Sequence, residues 1–288
     1  MTNITLSFPD TAADHGAVSL IVPHGMDMEF HRFRGIRGPA GWTSEPVKDA
    51  DTGQGATVFT PPSPRAEAVI SYDYDDDASS GPAPVDIFVP ENSPRVHAAA
   101  DLAQDMRSHF DAVGGGENGI AAIVQDVADR FEYANLPPEM LYHAGEASVP
   151  LVACAAGNCI DINLFLVAAL RACDVETAYL TCLYQADEPG QIEPGMHCWV
   201  RTRHSGRVQD WDIAHFKKVA KSRILPGLNP VPGRRWTLCY GRDHRYLWQG
   251  KDIVLSTPSR PQWVQADGTA IWGDGPEMRV REEHGAAA

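Results

Sequence analysis

The side chains best suited to catalysing a reaction carry a thiol, an imidazole and two carboxylates, and they are grouped in three short segments. In chain order the segments are Gly157-Asn158-Cys159, His197-Cys198-Trp199 and Asp210-Trp211-Asp212. A thiol, an imidazole and a carboxylate in one site can serve as a nucleophile, its general base and the group that orients the base. The sequence therefore predicts Cys159 as the nucleophile, His197 as the base and Asp212 as the orienting residue.

The segment that follows Asn158 is predicted to be a helix that begins at the nucleophile. Its apolar residues recur close to helical spacing, with Asn163 and Arg171 on other faces. The apolar stripe consists of Ile160, Leu164, Val167, Ala168 and Leu170. Asn158 is a favourable N-cap, and Asp161 places a carboxylate in the first turn. Cys159 then lies where the helix dipole favours a thiolate, and its own amide can donate to an oxyanion.

The histidine and the later aspartates are predicted to lie on a β-hairpin. Residues 196–202 alternate in polarity as a strand does, Ser205-Gly206 is a turn signal, and residues 208–213 form the return strand. A hairpin of this kind can bring Asp212 beside His197.

Four further residues are predicted to support the site. Asp210 lies on the same strand face as Asp212, so it is the rival orienting residue, although either carboxylate could simply pair with an arginine. Trp199 and Trp211 are expected to be core residues or walls of a substrate groove. Asn158 is expected to hold the start of the helix.

Together the three segments resemble the transglutaminase-like superfamily, a branch of the papain-like cysteine enzymes. The family pattern is Gly-x-Cys at a helix start, His-x-Trp on a strand and Asp at the close of the next strand. Cys159, His197 and Asp212 match its catalytic positions in that order. The resemblance covers residues 95–215. It implies an α+β, papain-like core in which the helix of the nucleophile packs on an antiparallel sheet.

The chain departs from the family pattern at two places. Cys173-Asp174 stands where the family usually has a glycine after the nucleophile helix. Animal transglutaminases use a tryptophan as a second oxyanion donor, and no Trp lies between Trp42 and Trp199 here. The candidates for that second donor on the upstream segment are Tyr133, Tyr142 and His143.

Composition excludes several classes of partner. The 288 residues carry a formal net charge of −14, with a pI near 5.1 and 43% apolar residues. Nucleic acids and anionic membrane surfaces are bound through basic patches, so neither partner is expected. The apolar content suffices for one large or two modest domains. A peptide or protein amide is the expected substrate, and the oligomeric state is left open.

No cofactor and no metal site are predicted. The run Asp73–Asp77 resembles a calcium loop, but Ala78 and Pro84 stand where an EF-hand needs Gly and Glu. No secretory leader pattern and no stretch of ~20 apolar residues is present. The six cysteines contain no Cys-x-x-Cys pair and suit reduced thiols. A cytoplasmic protein is therefore expected.

Three parts are predicted along the chain. Residues 1–92 form a β-rich module, residues 93–257 form the catalytic core, and residues 258–288 form a hairpin extension with a frayed tail. The strand-like runs of the first part are residues 17–22, 56–59, 68–72 and 85–89. Two helices are expected before the nucleophile, the first from residue 94 and the second over residues 120–133.

The predicted function is acyl transfer through a thioester. Cys159 attacks a carboxamide carbonyl, His197 takes the thiol proton and later protonates the leaving amine, and Asp212 fixes the tautomer of His197. Water as acceptor gives a cysteine protease or amidase, which is the first interpretation. An amine as acceptor gives a transamidase, and a third alternative is a non-catalytic module that binds protein or peptide and retains the fold.

Overall fold

The computed structural model describes residues 1–76, 85–89, 93–136, 147–188, 190, 194–227 and 230–282. These residues form seventeen strands, four α-helices and three short 3-10 helices. The first six strands are β1 (Thr2–Ser7), β2 (Ala17–Pro23), β3 (Arg32–Arg37), β4 (Thr43–Lys48), β5 (Gly55–Thr60) and β6 (Val69–Asp75). The 3-10 helices span Ala12–His15, Val85–Phe88 and Pro94–Val96.

The middle of the chain contains all four helices. Its elements are α1 (Ala100–Ala112), α2 (Gly116–Arg130), β7 (Phe131–Tyr133), β8 (Ala155–Gly157), α3 (Cys159–Ala172), β9 (Glu176–Ala186), β10 (Gly195–His204), β11 (Arg207–Trp211) and α4 (Ile213–Lys218). The remaining strands are β12 (Gly233–Tyr240), β13 (His244–Trp248), β14 (Lys251–Leu255), β15 (Gln262–Gln265), β16 (Ala270–Ile271) and β17 (Glu277–Glu282).

The central sheet has the strand order β11-β10-β9-β12, and all its pairs are antiparallel. Helix α3 packs against β9 and β10, and also against α1 and α2. The predicted α+β class, with the nucleophile's helix on an antiparallel sheet, is confirmed. None of the helices in the described ranges has the length and apolarity needed to cross a bilayer.

Helix α3 is buried on every side rather than amphipathic, so that part of the sequence prediction is wrong. Residues 161–170 are all buried, because the sheet covers one side of the helix and α1 and α2 cover others. Asn163, expected on another face, lies inside, where its Nδ2 donates to the carbonyl oxygen of Cys198 at 2.8 Å. A polar side chain at this depth is tolerated because it is hydrogen-bonded.

The start of α3 is fixed by a capping box. The side-chain oxygen of Asn158 accepts from the amide of Ile160 at 2.8 Å, and Asp161 accepts from the amide of Asn158 at 3.0 Å. Both the predicted N-cap and the predicted first-turn carboxylate are therefore confirmed. Gly157 precedes the cap because a Cβ there would lie 2.7 Å from the Cβ of Asp161.

The predicted hairpin is present as β10 and β11. Its turn residues Ser205 and Gly206 both have positive φ, 50° and 79°, as a two-residue hairpin turn of type I′ requires. The register places Trp211 opposite Val200. Asp212 is therefore the first residue after the return strand.

The first and last parts of the chain share two sheets. One has the order β17-β1-β6-β3 and the other β16-β15-β2-β5-β4. The predicted hairpin around Asp267-Gly268 is present as β15 and β16. However, residues 277–282, expected as part of a frayed tail, form the edge strand β17 beside β1. The division into three domains stays a prediction.

Two other local predictions differ from the structure. Residues 85–88 form a 3-10 helix rather than a strand. The second helix begins at Gly116 rather than Ile120, and Phe131–Tyr133 leaves it to pair in parallel with β8. Gly116 can open the helix because its φ of 59° suits glycine.

Candidate active site

Cys159 is the first residue of α3, at the point where β8 and the Asn158 cap deliver the chain into the helix. Its side chain is partly exposed. The amide of Cys159 lies in the first turn, where the helix offers it no carbonyl partner. The Cys159 thiol therefore lies at the positive end of the helix dipole, is reachable from solvent and is close to a backbone amide that can donate.

His197 lies near the start of β10 and is only 3% exposed. Its Nε2 is 3.0 Å from both Oδ1 and Oδ2 of Asp212. The side chains of His197 and Cys159 line the same cleft, and the charge of His197 helps to lower the pKa of the thiol. Because Nε2 faces the carboxylate, Nδ1 is the nitrogen that serves the thiol. The structure thus brings together the three residues predicted from the sequence.

Asp212 has more partners than the sequence indicated. It caps α4 by accepting from the amide of His215 at 3.1 Å, and its Oδ2 lies 3.0 Å from Nδ1 of His215. Arg235 of β12 donates to the same Oδ2. Burial by itself would raise the pKa of Asp212, but the charge and hydrogen bonds of His197 and His215 hold it well below its usual value. The carboxylate is therefore ionised throughout the neutral range.

His215 is a residue that sequence reasoning missed. Its ring stacks on that of His197, with centroids 3.7 Å apart and planes 2° from parallel. Burial, and then the charge of His197, lower the pKa of His215 below 6.5. His215 is thus neutral near pH 7, and it fixes the plane of His197 without adding a second charge. The feature of the sequence that could have identified His215 is its position three residues after Asp212.

Arg235 was also missed, because nothing local connects it to Asp212. Its guanidinium lies over the rings of Tyr184 and Trp199, 5.5 and 5.6 Å from their centroids. These aromatic rings hold the cation in place against the carboxylate. Arg235 is a positioning residue that acts on His197 through Asp212.

Asp210, the rival orienting residue, serves a different group. Its Oδ1 accepts from Nε1 of Trp199 at 2.9 Å and from Nε of Arg201 at 2.8 Å. Trp211 is buried and donates its Nε1 to the hydroxyl of Thr202 at 3.0 Å. Asp210 and the two tryptophans therefore support the hairpin, while Asp212 alone of the two carboxylates contacts His197.

The thiols of Cys159 and Cys198 face the same cleft. The hydrogen bond with Cys198 is the largest influence lowering the pKa of Cys159 well below its usual 9.0. The hydrogen bond and charge of His197 and the charge of Lys218 act in the same direction, against the effect of burial. Burial, and then Cys159, raise the pKa of Cys198 well above 9.0. One thiol is thus activated while its neighbour stays protonated.

The pKa of His197 responds to opposing effects. Burial lowers it, whereas the charge and hydrogen bond of Asp212 and the contact with Cys159 together raise it above 6.5. A raised imidazole pKa and a lowered thiol pKa favour a thiolate–imidazolium pair near neutrality.

The cleft at Cys159 has a volume of about 290 Å³. Apart from the reacting residues, its walls include Tyr133, Asn135, Tyr179, Met196, Lys218 and Trp272. Trp272 comes from the C-terminal hairpin, which the sequence analysis kept apart from the core. Asp212 and Trp199 line a separate cavity of about 440 Å³.

Of the three residues predicted as a second oxyanion donor, Tyr133 lies among the described residues. The hydroxyl of Tyr133 is at the cleft but donates to Oδ1 of Asn135 at 3.2 Å. Tyr142 and His143 lie outside the described residues. Asn135 also lines the cleft wall and carries an amide that can donate, and the sequence contained no signal for it.

The described residues contain one group whose geometry could hold a metal ion. His197, Asp212 and His215 each offer a ligand atom, and these atoms lie within 4.8 Å of one another. The charge of Asp212 is already balanced by Arg235 and by His197, and His215 contacts the same carboxylate as a neutral imidazole. The contacts present are those of a hydrogen-bonded carboxylate.

Comparison with known families agrees with this geometry. Residues 100–212 match the transglutaminase-like superfamily, and the match contains Cys159, His197 and Asp212. The match spans 113 of the 288 residues, so this part of the chain is similar to the transglutaminase-like superfamily. The family resemblance predicted from the sequence is therefore confirmed.

The solved structures that are similar to this chain have low sequence identity to it. A candidate cysteine protease from Cytophaga hutchinsonii is 14% identical, with a TM-score of 0.49 and 96% of each chain covered. The periplasmic domain of TgpA from Pseudomonas aeruginosa is 12% identical, with a TM-score of 0.35, covering 76% of this chain and 88% of that chain. No curated protein sequence matches the chain.

Proposed function

We propose that the protein transfers an acyl group from an amide through a thioester on Cys159, with water as the acceptor, as a cysteine protease or amidase does. The observation that carries this proposal is the placement of Cys159 and His197 on one cleft, with Nε2 of His197 hydrogen-bonded to both carboxylate oxygens of Asp212. A nucleophile at a helix N-terminus, paired with an imidazole that a carboxylate orients, is what acyl transfer requires.

The reaction begins with attack of the Cys159 thiolate on the amide carbonyl carbon, which forms a C–S bond. Negative charge moves to the carbonyl oxygen, which the amide of Cys159 can stabilise. The C–N bond then breaks, and protonated His197 gives its proton to the leaving amine. Neutral His197 next takes a proton from water, whose oxygen attacks the thioester and releases a carboxylic acid. The thiolate–imidazolium pair is restored.

An amine that reached the thioester in place of water would make the protein a transamidase. The chemistry up to the thioester is identical for both acceptors, so the residues at Cys159 do not distinguish them. The acceptor has to be measured by product analysis.

The test uses p-nitrophenyl acetate with the full chain, in the presence and absence of cadaverine. We expect an acetyl adduct on Cys159 by intact mass and peptide mapping, and acetate as the main product. Cys159→Ala should form no adduct, and the matched control Cys173→Ala should behave as the unaltered protein. Mainly N-acetylcadaverine would indicate the transamidase. A folded protein that forms no adduct would favour the non-catalytic binding module.

Amide hydrolysis is then measured with denatured casein. The proposal expects new amino groups to appear at a rate that depends on Cys159. Ester turnover without any cleavage of casein would restrict the substrate to smaller amides.

A cytoplasmic location is part of the same proposal. All six cysteines are free thiols, which suits a reducing compartment. Fractionation of cells that express the full-length protein, with markers for each compartment, tests this location.

A further inference from the structure

A third cavity, separate from the cleft of Cys159, lies where three segments of the chain meet. Its volume is about 720 Å³. Its walls come from the loop after β4, from the 3-10 helix at residues 94–96, and from the segment joining β12 to β14. The charged residues of the cavity wall are Asp49, Asp51, Arg95, Arg242, Asp243 and Arg245.

Arg242 is the unusual member of this group. It is only 5% exposed. Its Nε and Nη1 have no contact with solvent, and no acceptor within hydrogen-bonding distance of them is present in the described parts of the chain. The guanidinium of Arg242 lies over the ring of Tyr179, with 5.8 Å between its carbon atom and the ring centroid. A buried guanidinium with idle donors is rare, because a charge removed from water is costly unless it is paired.

The carboxylates of the cavity already have other partners. Asp243 accepts from Ser93 and, at 2.9 Å, from Nη1 of Arg95. Asp49 accepts from the amide and hydroxyl of Thr52 at 2.7 and 2.6 Å, and from the amide of Arg245 at 2.5 Å. Neither carboxylate is therefore available to Arg242.

The six charged residues of the wall sum to zero formal charge, so Arg242 differs from the others in its burial and not in an excess of positive charge around it. Asp51 is exposed to solvent, where its charge is screened. The guanidinium of Arg245 is 60% exposed and lies 3.9 Å from Asp252, a distance too long for a hydrogen bond. Arg245 is thus an exposed cation at this cavity, and Arg242 is the buried one whose Nε and Nη1 have no acceptor among the described residues.

We propose that this cavity binds a ligand through an oxyanion, a carboxylate or a phosphate, which pairs with Arg242. The planar guanidinium fork suits two oxygens of one such group. The cavity is much larger than a single oxyanion, so the anion is the anchor of a larger molecule. The site is separate from the cleft of Cys159, although Tyr179 contributes to both, through its contact with Arg242 and as part of the cleft wall.

The test measures the thermal midpoint of the full chain, and titration heats, with acetate, succinate and inorganic phosphate at ionic strength held constant with chloride. We expect a saturable rise in the midpoint with at least one of these anions. Arg242→Gln should abolish the rise, and without anion it should be as stable as the unaltered protein or more so, because it removes an unpaired buried charge. The matched control Arg279→Gln, at an exposed position, should keep the full response.

A second variant covers the case in which Arg242→Gln fails to fold. Arg242→Lys retains the cation but loses the fork, so we expect binding to weaken by about tenfold or more. Preference for the carboxylates would indicate an organic acid or an acidic peptide, and preference for phosphate a phosphorylated ligand. No saturable response in the unaltered protein, or an equal response in Arg242→Lys, would overturn the proposal. Cys159→Ala should respond normally, which separates this result from the proposed catalysis.

Discussion

Helix α3 has a cysteine at each end, Cys159 at its first residue and Cys173 at its C-cap. At the first end, hydrogen bonds from Cys198 and His197 and the charge of Lys218 lower the pKa of the thiol well below 9.0. At the other end, burial raises the pKa of Cys173 to about 11, and only Arg107 opposes it.

The difference shows that position within the fold, and not residue type, sets the pKa of each thiol. Backbone amides point toward a thiol at the N-terminus of the helix, and backbone carbonyls toward a thiol at the C-terminus. Cys154 is a third case, since it is exposed to solvent. Cys154 has solvent access, whereas Cys159 has both solvent access and a histidine that lowers the pKa of its thiol.

The largest expected effect tests this comparison directly. Cys159→Ala should lower acyl transfer by at least about 1,000-fold, whereas Cys173→Ala should leave it unchanged. Brief iodoacetamide treatment near neutral pH, followed by peptide mass mapping, should label Cys159 far ahead of the other cysteines. Preferential labelling of Cys154 would identify a different nucleophile, and equal, slow labelling of all six would remove the distinction between the two ends of α3.

Asp212→Asn should have the next largest effect, a loss of roughly 10- to 1,000-fold. The amide keeps an oxygen for the α4 cap but removes the charge that raises the pKa of His197. The imidazolium is needed for the ion pair and is lost as pH rises through the pKa of His197. The alkaline limb of the acyl-transfer rate against pH should therefore move to lower pH. Asp210→Asn is the matched control, and a similar shift in that variant would show that the orienting residue is misassigned.

Cys198→Ala should have a moderate effect that is confined to acidic pH. Removing the hydrogen bond from Cys198 raises the pKa of Cys159, so the acid limb of the alkylation profile should move to higher pH. Alkylation should be several-fold slower at pH values below the raised pKa, where Cys159 is mainly the neutral thiol. At higher pH, where Cys159 is fully ionised, the rate should change little. Cys182→Ala, another buried thiol, is the control. An unmoved acid limb would leave His197 and the helix as the whole cause of activation.

Lys218→Gln should have the smallest effect, less than about threefold, because the lysine is exposed and its charge is screened by solvent. The acid limb should again move to higher pH, and the difference should vanish at high salt. Lys217→Gln is the neighbouring control. A large, salt-independent loss for Lys218→Gln would point instead to direct contact with the substrate.

The sequence was sufficient wherever the deciding interactions are local. The Asn158 cap, the Ser205-Gly206 turn and the hairpin that pairs the His197 strand with the next strand depend on residues close in sequence, and all were predicted. Family resemblance added the pairing of Cys159 with His197. Local pattern also misled, since the apolar spacing in α3 indicated one exposed face, whereas packing from all sides buries the helix.

The residues that were missed act over long sequence separations. Arg235 reaches Asp212 from another strand, and Trp272 reaches the cleft from the C-terminal hairpin. An arginine or a tryptophan has no pattern that specifies such a partner, because both types occur widely on surfaces and in cores. The choice of Asp212 over Asp210 was predicted, but only the positions of Trp199 and Arg201 explain what Asp210 does.

The pairing of β1 with β17 and of β2 with β15 has a consequence for synthesis on the ribosome. Both early strands are interior members of their sheets, and each lacks one neighbour until almost the whole chain has been made. Such late closure gives a high contact order and slow folding. In the meantime the open edges of β1 and β2 could pair with other chains. Nascent chains that stall before residue 262 should therefore be the species that aggregates and that chaperones capture.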